Sequence, residues 1–166
     1  MFLKPKIKLE KVTDITIDIL NKYGITALIL DVDNTLSTHH GQVLTEGLPE
    51  WLDLMRQNGI KMTVLSNSNS KRLTPFAKKI GLDFISLGLK PLPFGYIRAL
   101  KRLGTKKSET AIVGDQLFTD VMGGNFVGIT TVLLTPIKLE TSLRFRSKRR
   151  VERFVMKKLN IVNTEE

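Results

Sequence analysis

The chain has 166 residues, within the roughly 100–200 that one domain usually takes, so one unit spanning 1–166 around one core is expected. Its 42% hydrophobic and 25% charged residues are ordinary globular composition and exclude a disordered, collagen-like or low-complexity chain. There is no cysteine, which removes disulfide scaffolds, Cys-based zinc sites, iron–sulfur clusters and thiol catalysis together. The net charge of +10 is clustered: between Thr141 and Lys158, eight basic side chains (Arg144, Arg146, Lys148, Arg149, Arg150, Arg153, Lys157 and Lys158) face the single acid Glu152, leaving +7 there and +3 elsewhere.

The N-terminal MFLKPKIKLEK interleaves lysines with single apolar residues and lacks the continuous apolar run of a secretory signal. Apolar runs and amphipathic stretches then alternate in the manner of α/β units. Strands are expected at 26–30, 61–65, 84–87, 110–113 and 129–134. The first, second and fourth are apolar rather than alternating, as in strands buried on both faces of a parallel sheet. Helices are expected at 14–22, 48–58, 70–80 and 93–103, each followed by a glycine (Gly24, Gly59, Gly81, Gly104) where a helix end favours a positive φ. A last helix or helix pair should occupy about 138–160. Trp51, early in a helix, belongs to the core. Right-handed crossovers then give an α/β, three-layer, doubly wound, Rossmann-like parallel sheet with its ligand site at the carboxyl ends of the strands.

No segment is expected to cross a membrane. The longest nearly uncharged stretch, 121–137, is broken by Gly123, Gly124, Asn125 and Gly128 and falls short of the ~20 apolar residues a spanning helix needs. A cytoplasmic location is the expectation, with peripheral contact to an anionic membrane open to the basic segment.

Polar, reactive residues follow four of the five predicted strands. TALIL runs into Asp31-Val32-Asp33-Asn34-Thr35, KMTVL into Ser66-Asn67-Ser68, the third strand into Lys90-Pro91, and TAIV into Gly114-Asp115 and on to Asp120. Singly, each could only cap the next helix; four strand ends agreeing is a constellation. Asp31, Asp33 and Asp115 placed together would repel one another without a cation between them, which implies a hard, oxygen-preferring metal, Mg2+ best of all. Zinc is disfavoured, because the only histidines, His39 and His40, are adjacent in a predicted flap. Beside such a metal, Lys90 and the polar groups at Ser66 and Asn67 suit a phosphate. Neither GxxxxGK[ST] nor GxGxxG occurs, so a P-loop and a dinucleotide fingerprint are excluded.

These residues carry a resemblance. DVDNTL resembles the first motif of the haloacid dehalogenase (HAD) superfamily of phosphatases, and LSNS, the lysine of LKP and GDQLFTD resemble its second to fourth motifs, in order, over residues 28–120. KPLPFGYIRAL and GDQLFTDVMGGNFVGITTVLLTPI are similar to the YqeG-like branch of subfamily IIIA, itself similar to phosphatidylglycerophosphate phosphatases. The resemblance implies Asp31 as nucleophile forming an aspartyl-phosphate, and Asp33 as general acid and then base. It implies Ser66 and Lys90 on the phosphoryl oxygens. Asp31, Asp115 and the main-chain carbonyl of Asp33 would take Mg2+, with Asp120 orienting Lys90 or the metal waters.

Many members of that superfamily insert a cap domain after the first motif or between the second and third. Here 32 residues separate Asp33 from Ser66 and 23 separate Ser66 from Lys90, so no cap is expected. An open site implies a large or lipid-borne phosphorylated substrate. The basic segment could be a solvated amphipathic helix packed by Val151, Phe154, Val155 and Leu159, or a surface for anionic lipid or RNA. Its aromatics, Phe145 and Phe154, are too few to support base stacking. The competing class is an RNA- or ribosome-associated or receiver-like regulatory module. A receiver places its phosphorylated aspartate after the third strand, and an inactive relative would be expected to lack Asp31 or Asp33.

Overall fold

The computed structural model describes residues 2–38, 43–137 and 143–164. His39 and His40, and the start of the predicted C-terminal helical segment, lie outside these residues. The elements in chain order are β1 (Ile7–Leu9), α1 (Ile17–Lys22), β2 (Ala27–Leu30), α2 (Leu48–Gln57), β3 (Lys61–Leu65), α3 (Ser70–Ile80), β4 (Phe84–Ile85), α4 (Pro93–Leu103), β5 (Thr110–Gly114), α5 (Met122–Val127), β6 (Thr130–Leu134) and α6 (Leu143–Lys158). A single π-helical turn, Leu117–Val121, leads into α5.

The six strands form one parallel sheet in the order β1-β6-β5-β2-β3-β4. From β2 the chain winds outward through β3 to β4, then returns to build β5 and β6 on the other side. The winding therefore reverses between β2 and β5, the place where a doubly wound sheet leaves a crevice at its carboxyl ends. The β2 side chains alternate between two cores. Leu28 and Leu30 face Trp51, Leu52 and Met55 of α2 and Phe76 of α3, while Ala27 and Ile29 face Tyr96 and Ala99 of α4. A β2 buried on both faces needs the apolar, non-alternating sequence it has. Trp51 is core, its indole N–H donating to the Ile15 carbonyl at 2.9 Å.

The sequence and the structure differ at four places. β1 is not among the expected strands, because its lysines break the apolar run. Lys8 is nonetheless buried, with its ammonium on the Leu9 carbonyl and the Thr135 hydroxyl, both at 2.8 Å. The first predicted helix is instead a 3-10 turn at Val12–Asp14 followed by α1, which starts after Thr16 because that side chain accepts from the Ile19 N–H at 3.2 Å. The π turn and α5 are hidden in the sequence by Gly123 and Gly124, which weaken a helix pattern. There Gly123 leaves the space taken by the Tyr96 ring. Finally, Val151 and Phe154 do not pack α6 on the fold: they are 52% and 68% exposed, and Val155 and Met156 with Ile161 cover Leu117, Val121 and Leu133 instead. Of the four glycines proposed as helix ends, all have a positive φ, from 64 to 71°.

After α6 the chain returns to β1. The Thr164 N–H donates to the Lys8 carbonyl, and the Lys8 N–H to the Thr164 hydroxyl, both at 2.8 Å. Among the described residues no helix is long and apolar enough to cross a membrane.

Candidate active site

The predicted strand-end residues converge on the crevice between β2 and β5. Asp31 leaves β2, its N–H still in the ladder with the Val113 carbonyl at 2.9 Å. Asn34 turns the chain back with φ 58°, a left-handed value asparagine tolerates. Lys90 reaches in from the segment after β4. Its ammonium donates to Asp31 Oδ1 at 2.8 Å and Asp120 Oδ1 at 2.7 Å, with all three side chains buried. Asp120 stands in the π turn and also accepts from the Gln116 N–H at 3.2 Å. Gly114 makes this possible, since a Cβ there would fall on the Asp120 carboxyl carbon.

Asp31, Asp115 and Asp120 can each bring a carboxylate oxygen within 4.8 Å of the other two. The three-acid group in the structure thus contains Asp120 where the sequence argument put Asp33. The Asp33 carboxylate is drawn aside by Arg72 of α3, which also donates to the Ser68 hydroxyl. α3 begins after Asn69, whose side chain caps the Arg72 N–H at 3.0 Å, and this first turn aims Arg72 at Asp33. Ser66 is buried at the end of β3 and its hydroxyl accepts from the Ser68 N–H at 3.1 Å. Asn67, expected on the phosphate, has its amide on the Lys90 backbone, Oδ1 accepting at 2.7 Å and Nδ2 donating at 3.1 Å. Two opposed bonds to one residue hold the Lys90 main chain.

Sequence reasoning missed two arginines. Arg72 could have been found from its place three residues past the Asn69 cap. Arg149 is concealed in the basic run, and its one signal is the lone acid Glu152 at i+3. The Arg149 guanidinium binds the Asp115 carboxylate, donates to the Asp115 carbonyl at 2.8 Å and to Glu152 at 2.9 Å.

Burial dominates the electrostatics. It pushes the Asp31 carboxyl up to about 7 even against the neighbouring Lys90 ammonium, with Asp120 and Asp33 adding to the rise. It likewise holds Asp115 well above the usual carboxylate range, although Arg149 pulls the other way. For Lys90 burial works downward, but Asp120 and Asp31 outweigh it and keep the ammonium charged. The three carboxylates that lie within reach of one another offer an all-oxygen donor set, which fits a hard divalent cation.

A profile of haloacid dehalogenase-like hydrolases matches residues 9–128. The chain belongs to that family. It is 34% identical over 158 residues to "Probable phosphatase YqeG" of Bacillus subtilis (strain 168), covering 95% of this chain and 92% of the relative. It is 26% identical over 168 residues to "Phosphatidylglycerophosphate phosphatase 1, chloroplastic/mitochondrial" of Arabidopsis thaliana, covering 95% of this chain but 48% of that protein. Among solved structures, a HAD family hydrolase from Deinococcus radiodurans R1 with bound phosphate and sodium has a TM-score of 0.59 at 17% identity, over 78% of this chain and 89% of the other. The chain is thus an HAD-type enzyme with phosphatase relatives and the fold of that superfamily. Its loops leave no room for an inserted cap.

Proposed function

We propose that this HAD-type phosphatase is a Mg2+-dependent phosphomonoester hydrolase that works through an aspartyl-phosphate, with the whole chain, 1–166, acting as one domain. The observation that carries the reading is the Lys90 ammonium shared between Asp31 and Asp120 inside the crevice. A carboxylate so held is aimed and kept from swinging, while the lysine charge faces the place where phosphoryl oxygens would sit.

In the first step an Asp31 oxygen attacks phosphorus, the bond from phosphorus to the leaving oxygen breaks, and Asp33 gives its proton to that oxygen. In the second, Asp33 takes a proton from water, whose oxygen attacks phosphorus and releases Asp31 and inorganic phosphate. Ser66 and Lys90 bind the transferring oxygens. Arg72 holds Asp33 between turnovers and yields it when the leaving group arrives. Asp31 and Asp115, with the Asp33 carbonyl, would hold Mg2+, which supplies charge neutralisation on the phosphoryl oxygens. Asp120 orients Lys90.

The substrate in this reading is a lipid-borne phosphate, with phosphatidylglycerophosphate the first candidate through the Arabidopsis relative. Two features support it. A cavity of about 260 Å3 beside Asp115 has one apolar wall of Leu117, Leu133, Leu134, Pro136 and Met156, suited to the apolar part of an amphiphile, and charged residues at Lys8, Arg149, Glu152 and Arg153. On α6, exposed Val151 and Phe154 stand among exposed Arg144, Arg146, Arg150 and Arg153, the combination that seats a helix at an anionic bilayer surface. Such attachment would be peripheral.

A panel of phosphomonoesters with Mg2+, including phosphatidylglycerophosphate in micelles, nucleotides and phosphopeptides, tests both levels. Turnover of the lipid well above the soluble esters, abolished by EDTA, is expected. Activity untouched by excess EDTA removes the metal, and preference for nucleotides or phosphopeptides removes the lipid. Arg150→Gln combined with Arg153→Gln should weaken binding to anionic vesicles about 30-fold at ~1 kcal/mol each. If that variant instead keeps vesicle binding and loses RNA binding, the basic face serves RNA.

A further inference from the structure

Arg149 differs from the other basic residues of α6. Its side chain is only 13% exposed, and its guanidinium is divided between the carbonyl and the carboxylate of one residue, Asp115, with Glu152 behind it. Glu152 is itself buried and accepts from the Phe118 N–H at 3.4 Å. A continuous line of bonds therefore runs from the backbone of the π turn through Glu152 and Arg149 to a member of the three-acid group. A planar fork bound to both ends of one residue fixes that residue's side-chain torsion, which a point charge could not do. The other Asp115 oxygen, Oδ1, has a long bond from the Thr35 hydroxyl at 3.4 Å.

We propose that Arg149, backed by Glu152, is a positioning residue that holds Asp115 with Oδ1 presented to the divalent cation, so that α6 is part of the active site rather than an appendage. This rests on the cation reading above. The alternative, that Arg149 stands in for the cation and is expelled by it, fits the local charge less well. With a cation bound and its acids ionised, Asp31, Asp115, Asp120 and Glu152 against Lys90 and Arg149 leave two negative charges, which a divalent cation neutralises with Arg149 still in place. Arg72 and Asp33 cancel one another.

Calorimetric titration of the full chain with Mg2+ reads the cation without turnover. Arg149→Gln should bind it at least about 10-fold more weakly, the lower end of what losing an outer partner of a metal ligand usually costs. Arg149→Lys should lie between that variant and wild type, since one ammonium cannot span both Asp115 oxygens. In turnover, the Mg2+ concentration for half-maximal rate should rise more than kcat at saturating Mg2+ falls. Val155→Ala trims the apolar seat of α6 without touching the fork; it should lower Tm and leave cation affinity unchanged, separating positioning from mere anchoring. Unchanged affinity in Arg149→Gln overturns the proposal, and tighter binding overturns it in favour of competition. Should that variant not fold, Glu152→Gln carries the test: it should weaken Mg2+ binding, and unaltered binding overturns the proposal. No Mg2+ uptake by wild type removes the cation reading and this role together, a result distinct from uptake that ignores Arg149.

Discussion

The site has an inner and an outer half, held by different means. In the inner half, Asp31, Lys90 and Asp120 come from strand ends and the π turn, all three are buried, and one ammonium joins the two acids at 2.8 and 2.7 Å. In the outer half, Asp33 and Asp115 are each bound by an arginine from a helix, Arg72 with 30% and Arg149 with 13% of its side chain exposed. The three groups of the inner half are thus fixed by the core, where packing permits one arrangement. In the outer half the two pairs differ in turn: Asp33 and Arg72 are partly open to solvent, whereas the Asp115 carboxylate is fully buried beneath Arg149.

Breaking the inner half should have the largest effects. Asp31→Asn should lower kcat at least about 1000-fold, since an amide oxygen does not displace an alkoxide. In single-turnover assays, retention of more than a tenth, a loss under about 1.4 kcal/mol, would end the covalent role. Next comes Lys90→Met, which removes a donor to the phosphoryl oxygens and leaves two buried carboxylates with less compensation. A loss of about 100-fold in kcat is expected, together with a fall in stability of about 3–5 kcal/mol measurable by urea unfolding. Arg72→Gln, on the outer half, should cost about 10-fold in kcat/KM and move Tm by less than about 2 °C; a penalty matching that of Lys90 would erase the distinction between the halves.

One further effect is thermal and needs no substrate. Folding raises the Asp31 carboxyl from 3.8 to about 7, so between about pH 4 and 7 the folded chain keeps a proton that the unfolded chain has released. Stability of the metal-free protein must then fall as pH rises through that window and stay low above it. Calorimetric Tm should drop by at least about 2 °C between pH 5 and 8, less so in Asp31→Asn and in saturating Mg2+. A Tm that rises over this range contradicts the burial argument.

The acids and the lysine of both halves were legible in the sequence, the two arginines of the outer half were not, and the reason is physical. An acid or lysine directly after an apolar strand has its position set by the sheet, so Asp31, Ser66, Lys90 and Asp115 could be grouped from spacing alone. Which side chains then pair depends on reach. Asp33 lies two residues from Asp31 yet is turned to Arg72, and nothing local distinguishes Arg149 from Arg150 until the rotation of α6 is known. Asp120 was expected to orient Lys90 or the metal waters, and its Oδ1 accepts from the Lys90 ammonium at 2.7 Å. β1 escaped for the opposite reason: its lysines suggested exposure, whereas the edge of a sheet lets Lys8 pair locally while its neighbours Ile7 and Leu9 are buried.

The return of the chain from α6 to β1 has a further effect. β1 is the last strand on its side of the sheet, and such a strand presents unpaired amides and carbonyls to any passing chain. Thr164 occupies the Lys8 carbonyl and N–H, and the Asn163 amide rests on the Glu10 carboxylate at 2.9 Å. This short segment therefore shields the sheet from joining a second molecule edge to edge. Shortening the chain to residue 159 would uncover a sticky border, and self-association would then be governed by protein concentration rather than by anything at the catalytic crevice.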